Sequence, residues 1–545
     1  MKGGFRPVLN SQNNTMKHNY RLLAFLRARA LYTAAIVTLS AQAQNTPSLP
    51  PPSTPSKLTA TMPIDVPPKP TQDDWNNLGW QSFVALNWPS VVPATPSGIS
   101  GKPDSTVIGA VDKDNNANIP TVWLTYRTAS STFLSGAVDP GAWASPTAQA
   151  NQPIPPTPLD STMAVAKGFQ PMSLDRVSKL KQMEKKFSTQ LDEVNEATGN
   201  PLIDQAGRYV LFDVRLNESE HTYIRTNKYY DVVDQAAAFP AGEKPTFVDF
   251  PKTGTEPMFD KTPLEPYAQS GATEIKASWR VLDPEKDKDI MNRYYTQVGY
   301  FLQPDGKTVE GPAIFGLIGL HILRLTPQSH STWFWATFEH VDNVSVPAGA
   351  SFSPTLANPK NMGPFNVAPA PAATAGSGKI PWNNKNVPVN VLRVQPISGD
   401  IEASNKVWQS ALAKSGSGVW QYYQMVGVMN PAVSKDTGVP IGGPYPGPNQ
   451  TTPQPPYANT GILANTTMET YVFDNTPGQN SNCTSCHGFA FPNGAPQTSG
   501  EFQIFSFLLS SADSSDYGKV RLPAVRCGQQ RTALMRWSRI LWGNN

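Results

Sequence analysis

Apolar positions along this chain recur with two different periods, and the switch between them organises it. In TQDDWNNLGWQSFVALNWP, Leu78, Phe83 and Leu86 fall at helical spacing, and Thr71 and Asp74 are placed as the two halves of a capping box, so a helix is predicted there. A second helix is expected over 172–196, a stretch rich in Lys, Glu and Gln that stops at Gly199-Asn200-Pro201. From Gly207 the period shortens. GRYVLFDVRL, ATEIKASWRVL, RYYTQVGYFL, AIFGLIGLHILRLT and TWFWATFEHV are Val-, Ile- and aromatic-rich runs between turn residues, as strands are. Alternation in WFWATFEHVDN assigns Trp333, Trp335, Thr337 and Glu339 to one face, and Phe334, Ala336, Phe338 and His340 to the other. One more helix is expected near 400–415, between Pro/Gly-rich loops at 344–388 and 436–459. Strands so far apart in sequence predict an α+β fold: a β-rich antiparallel body with peripheral helices and long Pro/Gly-rich loops. The chain has no internal repeat.

Composition adds little to this picture. Proline, at 54 of 545 residues, is about twice its usual share and suits ordered loops and β structure better than a helical bundle. A formal charge of +3, nearly balanced, gives no reason to expect nucleic acid or an acidic partner.

The two ends carry their own signals. Lys17, Arg21, Arg27 and Arg29, an apolar stretch over 30–39 and then Ala41-Gln42-Ala43 read as a secretory signal peptide within residues 1–43, starting at Met16 and cleaved near Ala43. A periplasmic or secreted protein is expected. Residues 44–70 form a Pro-rich leader expected to run clear of the packed body. No cysteine follows the apolar stretch, which argues against a lipid anchor. No later apolar run approaches the roughly 18 residues that span a bilayer, so no transmembrane helix is expected. The tail, 513–545, carries six Lys or Arg from residue 518 onward and no acid there. Leu534, Trp537 and Leu541 could line a basic amphipathic helix that docks on a membrane surface or partner; a poorly ordered tail is the simpler reading. Cys527 has no evident purpose there.

The sharpest chemistry lies in NSNCTSCHGFA, residues 480–490. Cys483-x-x-Cys486-His487 has the spacing of a c-type haem attachment site. Two cysteines one helical turn apart can reach both vinyl groups of one porphyrin, and the following histidine is tethered where its imidazole can bind the iron. A redox dithiol normally sits early in a βαβ unit, half a zinc site lacks a second ligand pair, and a local disulfide would leave the histidine unexplained. One covalent haem c is therefore expected, in an exported protein. Only 63 residues remain from Cys483 to the end, too few for an independent cytochrome domain. The haem-binding segment, 463–512, should then borrow part of its pocket from the body, 71–462.

What lies across the iron from His487 decides the class of function, since a closed site transfers electrons and an open one does oxygen or peroxide chemistry. His340 and His321 sit in aromatic or aliphatic strands and are candidates for the distal side, as ligand or acid/base, although a buried core histidine is the commoner outcome. Glu339 and Asp342 could serve as acceptors around such a ring. Met468, fifteen residues before Cys483, is a weaker candidate. Met425 and Met429, four apart, could share a helical face. His221 is expected on an exposed helix and His330 in a polar turn. An exported monohaem electron carrier with a redox partner protein needs the fewest assumptions. The alternatives are a haem enzyme, an oxidoreductase of peroxidase or oxygenase type whose β-rich body binds the substrate, and a haem-based redox sensor or binding module. No catalytic residue can be named.

Taken in order, WQSFVALNWP, GRYVLFDVRLN, EIKASWRVL, GLHILRLTP, WFWATFEHVDNV, LANTTMETY and the final Cys-x-x-Cys-His resemble an exported bacterial cytochrome c-like family over roughly 72–512. The resemblance implies haem on Cys483 and Cys486 with His487 on the iron, and it implies no substrate. The chain departs from the pattern after about residue 512.

Overall fold

The computed structural model describes residues 55, 57–92, 102–113, 117–143, 165–166, 169, 171–174, 201–238, 248–254, 270–302, 309–329, 333–361, 363–367, 386–431, 463–471, 483, 487, 490, 492 and 506–513. The signal peptide and residues 514–545 of the C-terminal tail, with Cys527, lie outside these residues, as do Cys486, His330 and residues 175–196 of the expected second helix.

Helix α1 (Gln72–Leu86) forms where the helical period and the capping box coincide. The Thr71 hydroxyl accepts the Asp74 amide, and the Asp74 carboxylate accepts the Thr71 amide at 2.7 Å. After a short ribbon, β1 (Val111–Asp112) with β2 (Ala117–Asn118), come β3 (Arg127–Thr128), α2 (Ala129–Thr132), β4 (Met172–Leu174), β5 (Leu211–Leu216), α3 (Glu218–Thr226) and α4 (Val232–Ala238). The long strands follow: β6 (Thr273–Leu282), β7 (Thr296–Leu302), β8 (Val309–Arg324) and β9 (Phe334–His340), then α5 (Gly399–Lys414) and β10 (Tyr423–Met429). Eight strands make one sheet in the order β10-β9-β8-β6-β5-β3, with β7 on β8 and β4 on β7. Every pairing is antiparallel except β4 with β7. The fold is α+β with a β-rich body, as the periodicity predicts. Met172, expected to open a helix, instead begins the parallel strand β4: Met172, Ser173 and Leu174 register against Gly299, Tyr300 and Phe301.

One edge of β8 is taken by β6, and the other is shared. There β7 pairs with β8 as far as Gly316, and β9 begins at Gly319. Side chains satisfy the backbone at this fork. The Tyr423 hydroxyl accepts the Tyr295 amide at 3.1 Å and donates to the Leu317 carbonyl at 2.9 Å, while the Asn343 amide donates to the Ile318 carbonyl at 2.9 Å.

The sheet is covered on both faces. On the first, Phe334, Ala336 and Phe338 meet α1: Trp75 stacks on Phe334, Phe83 stacks on Phe338 at 4.3 Å, and Trp80 lies between Phe338 and Trp408 of α5. Each fully buried ring contributes about 1.5–3 kcal/mol. Residues 57–70, expected to stand clear, are packed on the body instead. Arg324 donates to the Pro63 carbonyl at 2.6 Å, the Gln328 amide to the Asp65 carboxylate at 2.6 Å, and Val66 is buried. Buried Arg324 needs those acceptors, and this segment supplies one of them.

Candidate functional site

The second face of the sheet receives the chain that follows residue 462. It divides into a polar half and an apolar half, both set by the alternation along β9. In the polar half, Thr337 and Glu339 project beside Gly319 and His321 of β8. The turn 463–471 lies over them. Asn465 donates through its side-chain amide to the Thr337 hydroxyl (3.0 Å) and the Phe338 carbonyl (2.8 Å), and its side-chain oxygen accepts the Thr467 amide (2.9 Å) and hydroxyl (2.7 Å). Thr466 donates its hydroxyl to the buried Glu339 carboxylate at 2.8 Å, which also accepts Gln424 and is paired with Arg393. The Glu339 charge is thus buried in company. Gly319 and Gly427 make the close approach possible: a Cβ at Gly319 would stand 2.3 Å from the Thr467 hydroxyl oxygen, and one at Gly427 would stand 2.6 Å from Leu463.

In the apolar half, Trp335 is the centre. The His487 imidazole meets the Trp335 ring edge-on with centroids 4.4 Å apart, and Phe507 lies 4.9 Å from the same imidazole. Cys483 and His487 both have helical backbone, and the His487 carbonyl accepts the Ala490 amide at 3.0 Å. Half-buried Cys483 packs against the cluster that holds Leu323, Trp333, Trp335, Met429 and Leu508. Further along, Gln235 of α4 donates to the Leu509 carbonyl (3.0 Å), and the Asp513 carboxylate accepts the Gly136 amide (2.7 Å). Both described ends of the C-terminal segment therefore rest on the body.

His340, the foremost distal candidate from sequence, lies on the other face. Its ring stacks on Tyr294 at 4.0 Å, its Nε2 donates to the Arg293 carbonyl at 3.0 Å, and its Nδ1 accepts the Asp342 amide at 3.1 Å. Burial pushes its pKa down to about 4, against the pull of Asp342, so the ring is neutral with both nitrogens engaged. Asp342 also holds Arg293 by two hydrogen bonds, of 2.6 and 2.8 Å. His340 and His487 are separated by the sheet.

His321 does share the face of His487, in the polar half, where its Nε2 lies 2.9 Å from the Glu469 carboxylate. Burial alone would raise the Glu469 pKa, but His321, Lys276 and the Asn465 amide outweigh it and hold the carboxyl down to about 2. Met468 sits over Gly319 beside Thr467, its methyl 3.2 Å from where a Cβ would be. Met425 and Met429 lie on a strand, not a helix, and a bulge between Met425 and Gly427 turns them to opposite faces. His221 is helical as expected but fully buried, with Nε2 near the Gly141 carbonyl at 3.0 Å and Nδ1 near the Thr132 hydroxyl at 3.3 Å. Burial, with Arg127 beside it, pushes its pKa down to about 3.

Sequence reading missed a carboxyl pair. Glu220 of α3 and Glu274 of β6 are both buried, and burial first, then the Glu274 charge, push the Glu220 carboxyl well up. The signal was Glu274 itself, the one acidic residue of its strand. Among the described residues no three His, Cys, Asp or Glu side chains converge on a common point, and no helix is long and apolar enough to cross a membrane. No family model, curated protein or solved structure matches the chain.

Proposed function

We propose that this is an exported c-type monohaem protein that carries electrons, with haem c linked to Cys483 and Cys486 and bound through His487. The observation that supports it best is the seat of His487 against Trp335 and Phe507, on a face of the body rather than in solvent. A haem bound to a segment this short would expose a large apolar patch unless a body covered it. The residues present suit the group. The sulfur of Cys483 and the imidazole of His487 both lie next to a cluster of aromatic and aliphatic side chains. Haem bound there would supply a one-electron iron couple. The chain's own residues hold the imidazole: Trp335 and Phe507 pack against it, and the turn 463–471 anchors the segment to β9 through Asn465. A redox partner protein in the same compartment would exchange the electron.

The test is attachment. The full-length chain, produced in a host that exports it and attaches haem, should keep haem stain on a denaturing gel, because thioethers survive unfolding. The Cys483→Ala/Cys486→Ala variant should lose the stain, and if it keeps it the proposal fails. His487→Ala should keep the stain but change the iron spectrum.

A further inference from the structure

We propose that Met429 is the second axial ligand, facing His487 across the haem; the inference rests on the haem reading above. It starts from the bulge in β10. Residues four apart on a regular strand share a face, so Met425 and Met429 should point the same way. The extra residue between Met425 and Gly427 breaks that parity. Met425 then pairs with Phe338 and packs against α1, where its sulfur lies 3.1 Å from a Cβ built at Gly79. Met429 pairs with Trp335 on the opposite face. Facing residues of adjacent strands project side by side, so the Met429 thioether neighbours the ring that His487 touches.

Three features set Met429 apart from its rivals. It belongs to the cluster against which Cys483 packs, and it is the one methionine of that cluster among the described residues. It comes from the sheet, whereas His487 comes from the segment laid over the sheet, so the two approach the apolar layer from opposite sides. And its side chain is almost fully buried, as a thioether bound to a low-dielectric metal site must be. The alternatives are placed elsewhere or occupied. His340 lies on the far face with both nitrogens used. His321 is held by Glu469 within the polar half. Met468 stands over Gly319 beside the Thr467 hydroxyl. Ligation by histidine and methionine raises the potential of the iron couple relative to two histidines, which suits a carrier that accepts electrons.

The experiment uses the full-length, haem-loaded protein. Oxidised wild type should be low-spin with the far-red thioether-to-iron band, and the reduced protein should resist carbon monoxide. Met429→Leu, nearly equal in volume, should keep haem stain on a denaturing gel, lose the far-red band and bind carbon monoxide. Met468→Leu and Met425→Leu should keep the band. A Met429→Leu protein that retains the band, or a stained wild type that lacks it, overturns the assignment while leaving covalent haem standing. A wild type without stain overturns both. If Met429→Leu does not accumulate, Met429→His decides: the potential should fall and the band vanish with the iron still low-spin, and an unchanged potential overturns the assignment.

Discussion

Gly319→Ala reverses the effect that a glycine-to-alanine change normally has in a strand. Glycine inside a strand costs roughly 0.5–1 kcal/mol relative to alanine, so the substitution ought to stabilise β8. Here the new methyl group would stand 2.3 Å from the Thr467 hydroxyl, 2.5 Å from the Ser278 hydroxyl and 3.2 Å from the Met468 methyl. Two of those separations are below any real contact, so the turn 463–471 must lift. Lifting breaks the 2.7 Å Ser278–Thr467 hydrogen bond and strains the two that Asn465 donates to β9. Overpacking costs about 1–3 kcal/mol and the lost hydrogen bond about 1 kcal/mol, leaving a net loss of about 1–3.5 kcal/mol once the strand gain is subtracted. Urea unfolding followed by tryptophan fluorescence reads the stability, and limited proteolysis between 463 and 483 reads the lifting. Thr467→Ala removes the closest clashing atom, so the double variant should lose less than the sum of the single losses, with a coupling of about 1 kcal/mol or more. Equal or greater stability of Gly319→Ala would show that the turn is not seated on the sheet.

Glu220→Gln replaces a carboxyl that burial and the neighbouring Glu274 charge keep protonated with an uncharged amide. The folded protein holds the Glu220 proton well above the ordinary value of 4.5, so wild-type stability is lost as pH rises from about 4.5, at up to about 1.4 kcal/mol per pH unit. The variant should lack that slope and gain on wild type between pH 5 and 8; parallel denaturation profiles would contradict it. His340 has the opposite sign. Its stabilising contribution is complete above pH 6.5 and is lost at about 1.4 kcal/mol per pH unit as pH falls toward 4, because only the unfolded chain takes up the proton. His340→Gln should be less stable at pH 7 and flatter below 6.5, and a haem spectrum altered by this change would mean that the ring acts across the sheet after all. Asn465→Ala, which removes the two hydrogen bonds to β9, should cost about 2–3 kcal/mol and speed proteolysis ahead of Cys483.

The body was legible because its strands obey a local rule. Alternation along β9 sorted Trp335 from His340 correctly, and those two faces proved to be the division on which the site depends. What alternation cannot tell is which face a later segment will cover. A histidine among aromatics looked like a ligand, but its surroundings are core aromatics and the Arg293–Asp342 pair. The buried His221 was misjudged for a related reason. NESEHTYIR is polar by composition, but its His221 ring and Ser219 hydroxyl are met by Thr132, Gly141 and Ser270, contacts that come from remote parts of the chain. Met172 lost its helix to a parallel pairing with β7 across more than a hundred residues, a tertiary partner that no local window contains. The bulge in β10 left no mark at all, since YYQMVGVMNP reads as regular under either period.

The fork on β8 has a mechanical consequence. Because β7 and β9 end their ladders on the same edge without pairing to each other, no continuous run of peptide hydrogen bonds joins the β4–β7 arm to the β9–β10 arm. Force applied to one arm reaches the other through β8 or through side chains that bridge the fork: the phenol of Tyr423, which holds Tyr295 and Leu317, and the His340 ring, which donates to the Arg293 carbonyl. The arm that carries Trp335 and Met429 is thus joined to its neighbour by side chains rather than by a peptide ladder, and Tyr423→Phe would remove one of those links and ease the twisting of the two arms about their common strand.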